Sequence, residues 1–76
     1  MNKTRREELT KVSEGLSDLS TQLEELMDEE QEYHDNMPES LQGGEKGEQA
    51  ESAVESMQSA IDSLAEAMNS IGEAQV

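Results

Sequence analysis

The stretch LTKVSEGLSDLSTQLEEL, residues 9–26, decides the fold. Its apolar residues are Leu9, Val12, Leu16, Leu19, Leu23 and Leu26, in steps of three, four, three, four and three. That is the 3.5-residue repeat of a coiled-coil seam, and strand alternation does not fit it. The same spacing returns between residues 50 and 71 as Ala50, Val54, Met57, Ile61, Leu64, Met68 and Ile71. The chain therefore reads as all-α, an antiparallel two-helix coiled-coil hairpin. Such periodicity argues against disorder, which the charge of −14 and the 32% apolar content would otherwise suggest.

The boundaries follow from local chemistry. Thr4-Arg5-Arg6-Glu7 fits a capping box, so a first helix is expected over about residues 4–35. Asn36-Met37-Pro38 stops it, because proline disfavours helix in the residue before it. A connector is expected over about 36–46, where Pro38, Gly43 and Gly44 gather, and Gly47 follows just beyond it. A second helix is expected over about 46–72. Gly15 lies inside the first helix, at a cost of about 1 kcal/mol relative to alanine.

A chain of 76 residues buries a limited share of its surface and usually needs extra support. There is no cysteine to make disulfides and no Cys/His cluster to hold a structural metal, so self-association is the remaining route. The second helix supports this. Ala53, Ala60, Ala67 and Ala74 recur every seven residues beside its seam and widen the apolar stripe. The expected assembly is a homodimer forming a four-helix bundle, with a monomeric hairpin as the alternative. Leu16, Leu19, Leu23, Leu26, Met57, Ala60, Ile61, Leu64 and Met68 are its expected core and dimer residues. Across the hairpin, the expected pairs are Leu26 with Met57, Leu23 with Ala60 and Ile61, and Leu19 with Leu64.

Charge is distributed unevenly. Met1 to Val12 holds Lys3, Arg5, Arg6 and Lys11 against two acids, whereas Glu24 to Glu51 holds eleven acids and one base. The heptad lapses in that acidic end, at Glu30, before Tyr33 and Met37 resume its phase. Breaks in consistency of this kind often mark function. Seven acids lie in the twelve residues Glu24–Asp35, about one per 2.6 Å of helix axis at the standard rise. Duplex DNA carries one charge per roughly 1.7 Å.

Catalysis is not expected: there is one histidine, no cysteine, and no nucleophile-base-orienter set. No metal site is expected either. A di-iron bundle uses Glu-x-x-His pairs, whereas His34 stands four residues after Glu30 and no second histidine exists. No cofactor is implied. Direct nucleic-acid binding is disfavoured by the acidity. No stretch resembles a signal peptide or reaches transmembrane length, so no membrane contact and a cytoplasmic chain are expected. Tyr33 and His34 have two readings at the acidic end. In one, Tyr33 completes the seam and His34 is solvated; in the other, both are contact residues.

The segment DEEQEYHDNMPESLQGGEKGE, residues 28–48, resembles a recurrent segment of small, mostly uncharacterised proteins of phages and mobile elements. That resemblance implies an accessory gene product, in a class that includes acidic anti-defence inhibitors and DNA mimics. It supplies no catalytic residues. The expected function is a phage-type inhibitor, acting in the host cytoplasm. It would dock on a basic surface of a host nucleic-acid-processing or defence protein through Glu24, Glu25, Asp28, Glu29, Glu32, Tyr33, His34 and Asp35. The alternative is an assembly protein whose second helix packs its apolar face on a partner helix.

Overall fold

A computed structural model describes residues 1–75. Two long helices, α1 (Lys3–Asp35) and α3 (Glu45–Ala74), are joined through a single helical turn, α2 (Glu39–Gln42). Together they form a rod of 59 × 15 × 11 Å, with α1 packed along α3. Two contacts set their register: His34 Nε2 lies 3.1 Å from Glu51 Oε1, and Thr10 Oγ1 donates to Gln75 Oε1 at 3.2 Å. In both pairs the residue numbers add to 85, so the helices run antiparallel without a slip between them.

Helix α1 starts earlier than the capping box at Thr4 suggests. Asn2 is the cap, its Oδ1 accepting from the Arg5 backbone N–H at 2.7 Å. Asparagine caps as well as threonine, and its position allows the helix a further half-turn. Thr4 lies inside the first turn instead. At the other end, the Asn36 and Met37 N–H groups close on Glu32 and His34 carbonyls at 2.9 and 3.1 Å. Pro38, with no N–H to continue the ladder, then serves as the N-cap of α2. Glu45 and Glu48 occupy the first turn of α3, where the helix dipole favours acids.

The seam of α3 is the one its spacing indicates: Ala50 and Ile61 are buried, and Val54, Met57, Leu64, Met68 and Ile71 are half-buried. The seam of α1 differs by half. Leu9, Leu16, Leu23, Glu30 and Met37 face inward, but the alternating row is Ser13, Ser20, Met27 and His34. Val12, Leu19, Leu26 and Tyr33 are 51–55% exposed. The expected pairs Leu19–Leu64 and Leu26–Met57 are therefore not core pairs. Volume explains the rotation of α1. Ser13 is level with Ile71 and Ser20 with Leu64, to within one residue, so small side chains on α1 meet large ones on α3.

Candidate interaction surfaces

The turn end is firmly built. The Gln42 side-chain amide donates to the carbonyls of Met37, His34 and Asp35 at 3.1, 3.3 and 3.5 Å, tying off the end of α1. Gly47 lets this arrangement fit. A Cβ there would fall on the Gln42 carbonyl, with the Gln42 Cα only 2.7 Å away. No glycine has a positive φ, so close approach rather than backbone conformation is the reason for a glycine at 47.

On this frame the acids point outward. Glu24, Glu25, Asp28, Glu29, Glu32 and Asp35 are exposed on α1, and Glu30 is half-buried. The register brings Glu51 and Glu55, both exposed, alongside the same span. Eight exposed carboxylates then share about 18 Å of axis, one per roughly 2.3 Å. No lysine or arginine lies in either stretch.

Tyr33 and His34 take positions opposite to the first of their two sequence readings. Tyr33 is on the outside, and His34 is turned into the seam with its side chain 12% exposed. Its Nδ1 is 3.4 Å from Asp35 Oδ1, and its Nε2 is 3.1 Å from Glu51. The Glu51 carboxylate is off the line along which Nε2 could donate, and Nε2 has no hydrogen-bond partner. The histidine thus belongs to the interior of the hairpin. Among the expected core residues, Leu16, Leu23, Met57, Ile61, Leu64 and Met68 line the seam, whereas Leu19, Leu26 and Ala60 are exposed.

These exposed residues share one broad side of the rod. On a heptad repeat each residue turns about 103°, so Val12, Leu19, Leu26 and Tyr33 sit about 77° off the line from α1 to α3. Ala53, Ala60, Ala67 and Ala74 are offset equally on α3, and the antiparallel sense puts both rows on the same side. The register sets Val12 level with Ala74, Leu19 with Ala67, Leu26 with Ala60 and Tyr33 with Ala53, to within one residue. At the tip this side opens into a groove of about 540 Å³, lined by Tyr33, Met37, Pro38 and Leu41 and edged by Glu45 and Lys46. The opposite side carries Ser17, Glu24, Gln31, Glu51 and Gln58, with Ala65 farther along the same row of α3. One broad side is apolar and the other polar.

Among the described residues, no group of three or more His, Asp or Glu side chains is placed to hold a metal ion. No described helix is long and apolar enough to cross a membrane. No family model, curated protein or solved structure matches the chain.

Proposed function

We propose that this is a non-enzymatic binding protein, a homodimeric four-helix bundle that presents its carboxylates to a basic surface of another protein. The partner class is a nucleic-acid-processing or defence protein, and the effect of docking is inhibition. The observation that carries this reading is the set of eight exposed carboxylates at about one per 2.3 Å of axis, approaching the one per roughly 1.7 Å of duplex DNA. Glu25 and Glu32 face directly away from α3, and Asp28 and Asp35 face away obliquely, so packing on the apolar side leaves them free. A groove shaped for phosphates would accept such a row without base contacts, because phosphate contacts carry most of non-specific affinity.

An assembly protein that packs through its second helix is less well supported. The seam of α3 is already covered by α1, and only a row of alanines remains on its flank.

Capture from a lysate of the native host tests the proposal. At about 0.1 M salt the immobilised protein is expected to retain a basic nucleic-acid-binding protein, which duplex DNA or about 0.5 M salt then displaces. A captured partner indifferent to both would overturn it.

A further inference from the structure

From the apolar broad side we infer the geometry of self-association: a second copy covers it, its turn end at the opposite end of the bundle. This inference rests on the homodimer proposed above and adds to it the face, the orientation and the facing residues. Four observations point to it.

The hairpin alone has little core. Ala50 and Ile61 are the buried apolar residues among those described, and no large side chain is fully enclosed. Meanwhile, Val12, Leu19, Leu26 and Tyr33 stand half or more exposed in a heptad row. A coiled-coil seam on an unpartnered flank fits another helix of the same period.

Size is the second. Arg5 stands on the same row, and from Arg5 to Tyr33 the strip is about 42 Å long at the helical rise. With the 15 Å width of the rod its flat outline is roughly 630 Å², before side-chain relief and the tip groove are added. A stable interface covers about 800 Å² per partner.

Charge sets the orientation. With both turns at one end, two sets of eleven acids and one base would be stacked together. With turns at opposite ends, Lys3, Arg5, Arg6 and Lys11 of each copy lie beside the acidic tip of the other.

The fourth observation is the symmetry of the row itself. A two-fold axis midway between Leu19 and Leu26 places Leu19 against Leu26 of the second copy and Val12 against its Tyr33. Large then meets small at the ends, and Arg5 comes level with the groove edged by Glu45. The alanine rows of the two α3 helices face each other and let those axes approach closely. Tyr33, with Leu41 beside it, belongs to this interface rather than to the acidic contact surface.

The test is sedimentation of the full chain at about 10 µM, with mixed-chain disulfide trapping. Wild type is expected at twice 8.4 kDa, the double variant Leu19→Glu/Leu26→Glu at 8.4 kDa, and Ala65→Glu, on the polar side, at twice that mass. Mixing Leu19→Cys chains with Leu26→Cys chains under oxidising conditions is expected to give mainly the mixed disulfide. Trapping of Leu19→Cys with Ala67→Cys instead would overturn the orientation. A dimer that survives Leu19→Glu/Leu26→Glu and is lost on Ala65→Glu would overturn the face while keeping the homodimer. A wild-type monomer would overturn both. Should the glutamate variant lose helicity, the cysteine pair still decides the outcome.

Discussion

Three glycines of this chain lie within its two long helices, and the structure separates them sharply. Alanine at an exposed helical glycine normally stabilises by up to about 1 kcal/mol, through helix propensity and a less flexible unfolded chain. At Gly15 and Gly72 a Cβ meets nothing within 4 Å, so that gain is expected in full. At Gly47 the Cβ would overlap the Gln42 carbonyl, whose carbon is 2.5 Å away, and backbone atoms cannot swing aside as a side chain does. Relieving the overlap means pushing α2 off α3, at an overpacking cost of about 1–3 kcal/mol. The same movement lengthens the Gln42 amide contacts to the end of α1, and a lost hydrogen bond adds about 1 kcal/mol. After the propensity gain is subtracted, Gly47→Ala is expected to destabilise by about 1–3 kcal/mol. In a domain of this size 1 kcal/mol moves Tm by about 4–8 °C. Circular-dichroism melts at one fixed chain concentration should therefore place Gly15→Ala a few degrees above wild type and Gly47→Ala clearly below it. A Gly47→Ala melt at or above that of Gly15→Ala would refute the close-approach reasoning.

Gln42→Ala removes the amide that reaches Met37, His34 and Asp35 carbonyls and should cost about 1–2 kcal/mol in urea denaturation. Ser20→Ala replaces a buried serine within α1 by a better helix former and should raise stability by about 0.5 kcal/mol, read from the same curves. Salt should raise the Tm of the free protein, because screening relieves repulsion within a chain of net charge −14. A Tm that falls as salt rises from about 0.05 to 0.5 M would count against that repulsion. The triple reversal Glu25→Lys/Asp28→Lys/Glu32→Lys should leave the circular-dichroism spectrum helical, since all three side chains are exposed on the outer face of α1.

Much of the hairpin is legible in the heptads. Ala50 to Ile71 define a stripe with one neighbour, and the structure uses every position of it. The stripe Leu9 to Leu26 is equally regular, yet its period cannot say how many neighbours share it. Rotation of α1 by half a heptad step was decided by Ser13 and Ser20, whose small volume, not their polarity, is what suits the facing Ile71 and Leu64. The start of α1 is ambiguous in the sequence because Asn2 and Thr4 are comparable caps and Glu7 completes a box only with Thr4. Gln42 has no local signature at all: a lone glutamine in a glycine-rich connector gains its role from carbonyls five to eight residues back. The acidic end was visible as composition. What composition lacked was the register, which sets Glu51 and Glu55 beside Glu24–Asp35 and turns His34 inward between carboxylates.

The most direct test of the acidic binding surface is titration calorimetry of the captured partner with wild type and with the Glu25, Asp28 and Glu32 reversal, at about 0.1 and 0.5 M salt. The expected result is a Kd that weakens at least about tenfold between the two salts for wild type, and no measurable binding by the reversed protein. Equal affinity of the two proteins at the lower salt would contradict it.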